Sequence, residues 1–215
     1  MPGQIQTRGL SAGFFLLPDT GGVSQSDLFG IPGPALPEGM RLQEEFLSRA
    51  EEASLVALIA ALPLAPMKYQ QYTALRRVLS YGGQYDFSAR RLDEAEPLPR
   101  WLDGLREKAG AWAGVRPAQF TQALVAEYQP GTPLGWHRDV PDFEDIVGIS
   151  LLNDAVMRLR PYPPQQGQRA DVMKLTLPPR SIYLLRGAAR WHWQHSVAPT
   201  RQLRYSITLR TARTR

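Results

Sequence analysis

The pattern of apolar and polar positions changes character along the chain. Residues 1–39 are rich in Gly, Pro and Ser, hold no sustained period, and read as a flexible leader. Ser48 and Glu51 then stand at capping-box spacing. Behind them Leu55, Val56, Leu58, Ile59 and Leu62 recur at helical period until Pro63 and Pro66 stop the run. A second helix is predicted from about Pro99 to Trp112, with Trp101, Leu102, Leu105 and Ala109 inward. Between the two helices, Arg76–Phe87 mixes arginines, tyrosines and a Gly pair in a short alternating stretch, which predicts a hairpin or lid. From Gln122 onward the period falls to two. Short runs near Ala123–Tyr128, Val147–Leu152, Met157–Arg160, Val172–Leu177, Ile182–Leu185, Trp193–Val197 and Leu203–Leu209 are separated by turn residues. Helices first and many short strands later predict an α+β, mostly β fold: a sandwich or barrel with a helical brace.

Composition adds two constraints. None of the 215 residues is a cysteine, so thiolate metal sites and disulfides are excluded and any metal must be held by His, Asp or Glu. The net charge of +5 favours anionic partners. No apolar run approaches a membrane span, and the one around residues 10–17 is too short for a signal peptide, so a cytoplasmic protein is expected.

Candidate chemistry centres on three histidines: His137, His192 and His195. His137 and Asp139, two apart in an extended segment, project to one side. A second histidine from a later strand completes a face of two imidazoles and one carboxylate. That set leaves three positions open on a non-haem iron(II), enough for a bidentate keto acid and O2. His192 and His195 differ by an odd number, so only one faces inward, and strand parity does not choose between them. On the last strand Arg204 and Arg210 share one face with Ser206 and Thr208, while Tyr205, Ile207 and Leu209 share the other. Six strand steps span roughly 20 Å, and two guanidinium groups leaning inward would grip a small dianion. A zinc hydrolase could use the same three ligands, but would leave the arginine pair without a purpose.

The ordered set His137-x-Asp139, a distant histidine, then Arg204 and Arg210 six apart resembles the AlkB family of Fe(II)/2-oxoglutarate dioxygenases. Ala126–Gly131 leading into Gly135–Asp139 resembles that family's Asn-x-Tyr and His-x-Asp block, and Ser181–Leu185 with Arg190 and His195–Val197 resembles the approach to its distal ligand. The similarity covers roughly residues 40–212. It implies a double-stranded β-helix, or jelly roll, with N-terminal bracing helices, a nucleotide-recognition lid over about 68–98 and a core over about 118–212. It implies His137, Asp139 and His195 as iron ligands, against His192. It implies Arg204 and Arg210 as grips on 2-oxoglutarate, with Tyr128 and Ser206 beside them. Tyr81, Tyr85 and Arg138 are expected near the target base. Three positions depart from the pattern: Ala126 replaces the usual Asn, Gly83 stands where a bulky aromatic is common, and Pro141 follows the iron-binding Asp closely.

The activity so implied is oxidative dealkylation of bases in single- or double-stranded DNA or RNA, with Fe(II), 2-oxoglutarate and O2, by a monomer without membrane contact. The alternatives are the same oxygenase chemistry on a tRNA base or a protein side chain, and a non-catalytic nucleic-acid-binding jelly roll. Within the leader, Gln25–Phe29 resembles the short peptide by which bacterial repair proteins dock on the sliding clamp.

Overall fold

The computed structural model describes residues 35–69, 72–86, 91–93, 95–164 and 172–214. Residues 1–34, with the clamp-like peptide Gln25–Phe29, lie outside these residues, as do the side chains of 67–69, 72–74, 84–86 and 91–92. The last part of the expected leader, 36–39, is instead part of the domain, with Leu36 packed on an apolar cluster. In chain order the elements are β1 (Met40–Gln43), α1 (Arg49–Ala60), β2 (Ala65–Tyr69), β3 (Tyr72–Tyr81), β4 (Gln84–Asp86), β5 (Arg91–Asp93), α2 (Asp103–Ala113), β6 (Phe120–Tyr128) and β7 (Leu134–His137). They continue with β8 (Phe143–Leu151), β9 (Ala155–Pro161), β10 (Met173–Leu177), β11 (Ile182–Leu185), α3 (Gly187–Trp191), β12 (Trp193–Val197) and β13 (Arg204–Ala212).

Antiparallel pairing assembles a seven-stranded sheet in the order β1-β11-β8-β13-β6-β3-β2 and a four-stranded sheet in the order β10-β9-β12-β7. This is the expected jelly roll. The alternation of β13 divides its side chains as its sequence predicts. Tyr205, Ile207 and Leu209 enter a core with α1 and α2, while Arg204, Ser206, Thr208 and Arg210 face a cavity. The helix-side core holds Leu55, Ile59, Leu102, Leu105, Val125 and Ile149. A second apolar cluster, with Met157, Leu159, Leu177 and Leu185, joins residues of both sheets.

Helix α1 starts where the capping signal placed it. The Ser48 hydroxyl accepts from the Glu51 amide at 3.2 Å, and the Glu51 carboxylate accepts from the Ser48 amide at 2.7 Å. Its stripe is narrower than predicted: Leu55 and Ile59 are buried but Leu58 is exposed. The second predicted helix begins as a 3-10 turn over Arg100–Leu102 before α2.

The Arg76–Phe87 stretch is not wholly a lid. Half of it is the end of β3, which extends the large sheet by pairing with β6, with Arg77 opposite Glu127. Strands β4 and β5 pair as a separate two-stranded sheet. Strands β1, β2 and β7 carry no clear alternation in the sequence and appear only through their partners. Among them β7 matters most, because it ends on His137.

Candidate active site

Strands β7 and β12 bring the first two ligand candidates together by register: His137 pairs directly with His195. Their rings stand 4.2 Å apart between centroids. His195 lies mid-strand, whereas His192 is an exposed residue closing α3. The secondary structure thus resolves the parity question for His195. Asp139 lies just past the end of β7, so its aim does not come from strand geometry. Two arginines set it. Arg190, 2% exposed, donates to the carbonyls of Asp139, Val140 and Phe143 at 3.1, 2.7 and 3.0 Å and fixes the loop. Arg210 donates from Nε and Nη2 to Asp139 Oδ1 at 2.8 and 2.6 Å.

Each member of the group therefore presents one atom. Asp139 Oδ1 is occupied by Arg210, leaving Oδ2 directed at His195 Nε2, 3.6 Å away. The His137 Nδ1–H donates to the Gly135 carbonyl at 2.8 Å, which leaves its Nε2 lone pair free. One donor atom from each of the three residues lies within 4.8 Å of the others. Electrostatics favours metal over proton. Burial pushes His195 down to about 3, and the neighbouring His137 adds to the effect. Burial likewise lowers His137. Burial works against the Asp139 charge, but the Arg210 guanidinium leads the interactions that outweigh it and hold the carboxyl well below its usual range. Two neutral imidazoles and a carboxylate are the protonation states a divalent metal requires.

The cavity around this group has about 480 Å³ of space, its mouth included, and is lined by Arg76, Tyr128, Tyr183, Arg204, Ser206 and Arg210 with the three ligand candidates. Arg204 is 2% exposed, donates to Ser150 Oγ at 3.1 Å, and lies 4.9 Å over the Tyr128 ring. Among the described residues no carboxylate pairs with it. A buried guanidinium in that state is costly unless an anion arrives. Arg210 also lines the cavity, and three of its five N–H donors are engaged by Asp139 and by Gln122 Oε1, the last at 2.7 Å. It thus holds the metal-facing carboxylate and keeps one N–H on each terminal nitrogen beyond those bonds.

The expected base contacts fare differently. Tyr81 is buried in the helix-side core with its ring edge-on to Trp101 at 6.3 Å, and does not line the cavity. Arg138 stacks 3.7 Å over the Tyr162 ring and donates to the Trp191 carbonyl at 2.9 Å, outside the cavity lining. Tyr85 belongs to β4, and its side chain lies outside the described residues. Sequence reasoning missed Arg76 and Tyr183 as cavity residues. Arg76, 8% exposed, reaches the Tyr128 hydroxyl at 3.4 Å. Its position in a strand of alternating register with β6 was the available signal. Tyr183 fits because Gly148 faces it: a Cβ on Gly148 would stand 2.1 Å from the Tyr183 ring.

A jelly roll with a His-x-Asp…His group facing a cationic cavity defines a metal-dependent oxygenase, and the chain belongs to the 2OG-Fe(II) oxygenase superfamily, whose profile matches residues 39–213. Fe(II) and 2-oxoglutarate are the cofactor and co-substrate of that class. Within it the similarity is to AlkB homologues. The chain is 29% identical over 174 residues to the mouse tRNA (carboxymethyluridine(34)-5-O)-methyltransferase ALKBH8, covering 77% of this chain and 25% of that protein. It is 29% identical over 180 residues to the Arabidopsis thaliana Alkylated DNA repair protein ALKBH8 homolog, covering 74% and 50%. It is 26% identical over 216 residues to the mouse Alpha-ketoglutarate-dependent dioxygenase alkB homolog 4, covering 86% and 70%. The chain thus spans a quarter to a half of the length of these ALKBH8 relatives. Its fold matches the solved structure of OsALKBH1 with a TM-score of 0.65 at 18% identity, covering 84% of this chain and 100% of that one. It also matches a Pseudomonas putida prolyl-4-hydroxylase with a TM-score of 0.54 at 16% identity, covering 82% and 94%.

Proposed function

We propose that this oxygenase removes N-linked alkyl groups from nucleic-acid bases. His137, Asp139 and His195 would hold Fe(II), each through the one donor atom its partners leave free. Arg204 would grip the far carboxylate of 2-oxoglutarate, flanked by Tyr128 and Ser206. When bound, iron and 2-oxoglutarate activate O2, with release of succinate and CO2, to hydroxylate the alkyl carbon, and the resulting hemiaminal sheds an aldehyde. The protein's contribution is placement and charge. Arg210 keeps the Asp139 carboxyl ionised and oriented, Arg190 immobilises the loop that carries it, and the apolar walls from Leu134 and Met157 exclude water.

The observation that carries the oxygenase reading is Arg204, a buried guanidinium with no carboxylate partner among the described residues, facing the same cavity as the ligand group. The basic net charge and the ALKBH8 relatives, one named for DNA repair and one for tRNA, support a nucleic acid as the substrate class. To reach a buried centre, a duplex base must flip or arrive on a single strand. The test is incubation with methylated and etheno-modified DNA and RNA strands, read by mass spectrometry of the bases and by succinate release. Loss of the alkyl mass, dependent on Fe(II) and 2-oxoglutarate, is the expected result. Succinate release with no modified strand consumed in any arm would sink the substrate assignment. Strand binding without any succinate would point to a non-catalytic module.

A further inference from the structure

The same strands that carry the ligand group present a second surface on their backs. On β9, Met157 and Leu159 point into the core, so Val156, Arg158 and Arg160 point outward. On β12, His195 and Val197 face the cavity, leaving Gln194 and Ser196 on the other side. Register places Lys174, Arg158 and Ser196 on one rung of the four-stranded sheet and Arg160 and Gln194 on the next. Trp136 alternates with His137 on β7 and joins this outer face.

Arg158 and Arg160 converge on the Trp136 ring, with guanidinium carbons 5.3 and 4.3 Å from its centroid. Each uses Nε on a neutral neighbour, Ser196 Oγ and Gln194 Oε1, both at 2.9 Å. No other hydrogen bond and no carboxylate engages them among the described residues. Arg138 repeats the arrangement over Tyr162. Arg77, Arg106, Arg180, Arg186 and Arg213 each meet a carboxylate. Arg41 over Trp112 meets none among the described residues, but it stacks singly, whereas Arg158 and Arg160 share one ring. A face of this kind ordinarily mixes signs, whereas this one holds Arg158, Arg160 and Lys174, none of them paired with a carboxylate among the described residues. The two strand arginines are one two-residue step apart, about 6.6–6.8 Å. Guanidinium groups held over an aromatic ring expose their terminal N–H groups to phosphate oxygens and a planar surface to bases.

We infer that the outer face of the four-stranded sheet, with Arg158 and Arg160 on Trp136 at its centre, binds the phosphate backbone of a single nucleic-acid strand outside the active-site cavity. This takes its polymer from the function proposed above, but its test does not depend on turnover. The face anchors flanking nucleotides on the far side of the strands bearing His137 and His195. It makes long strands better ligands than short ones.

The experiment measures binding of an unmodified fluorescent single strand of about 16 nucleotides by anisotropy across a salt series. The proteins are the full-length wild type, Arg158→Gln/Arg160→Gln, and the charge-keeping Arg158→Lys/Arg160→Lys. Losing two phosphate contacts makes the plot of log K against log salt shallower by about 1.4 in the Gln variant. The Lys variant retains most of the slope. Succinate formation on a modified trinucleotide, too short to reach the face, stays at the wild-type level, which also reports correct folding. Equal slopes for wild type and Gln variant overturn the inference while leaving dealkylation intact. A wild type that dealkylates no strand but shows the slope change keeps this surface and loses the function proposed above. Wild-type binding to anionic vesicles but not to the strand overturns the inference in favour of a membrane surface.

Discussion

Arg204→Met separates a cation built to receive a ligand from one that braces the fold. Arg204 is 2% exposed, and its one protein hydrogen bond goes to Ser150 Oγ. If it grips a carboxylate with two charge-assisted bonds of about 1.5–3 kcal/mol each, losing it removes about 3–6 kcal/mol of 2-oxoglutarate affinity. That is about 10²- to 10⁴-fold in Kd. Stability should move differently. Replacing a buried, uncompensated charge by an apolar side chain of similar length is commonly neutral or stabilising. The assay is thermal unfolding of Mn(II)-loaded protein with and without 2-oxoglutarate at about 100 times the wild-type Kd. There the ligand contributes about 2.7 kcal/mol, or about 5–11 °C for a domain of this size. The wild type should show that shift. The Met variant should show under about 2 °C, with an unliganded Tm at or above wild type. An unliganded variant destabilised by about 3–5 kcal/mol, as when a buried ion pair is broken, would refute the reasoning, as would an undiminished ligand shift.

Further outcomes follow from other residues. His137→Ala should abolish succinate formation while keeping the far-ultraviolet circular dichroism of the fold. Asp139→Ala should also abolish it and cost about 3–5 kcal/mol in urea unfolding, because Arg210 is left buried without its carboxylate. Gly148→Ala drives a methyl into the Tyr183 ring and should cost about 1–3 kcal/mol while weakening 2-oxoglutarate binding, read by calorimetry. Ser48→Ala should cost about 1 kcal/mol of unfolding free energy with turnover unchanged, since the cap lies on a bracing helix. The metal-free protein should lose stability as pH falls from about 6.5 toward 4, because buried His195 binds a proton less readily folded, at about 3, than unfolded, near 6.5. Urea titrations at pH 7, 6 and 5 measure this, and His195→Gln should flatten the trend.

The sequence alone determined what local chemistry can determine. Ser48 and Glu51 fixed the start of α1, and alternation fixed which side of β13 carries Arg204, Ser206 and Arg210. The absence of cysteine limited any metal to His, Asp and Glu ligands, and the order of His137, Asp139, a later histidine and two arginines carried the resemblance to the oxygenase family. These features depend on neighbours within a few residues, or on residue identity itself. What required the tertiary structure was every assignment made by a distant partner. Arg210 became the support of Asp139 because the loop held by Arg190 brings that carboxylate to it. Tyr81 went to the core because α2 and Trp101 close over its side of β3. Arg138 stacked on Tyr162, and Arg158 and Arg160 met Trp136, only because β7, β9 and β12 lie in one sheet. A side chain's direction follows from its own strand, but its partner follows from register, and register is set by the packing of the whole fold.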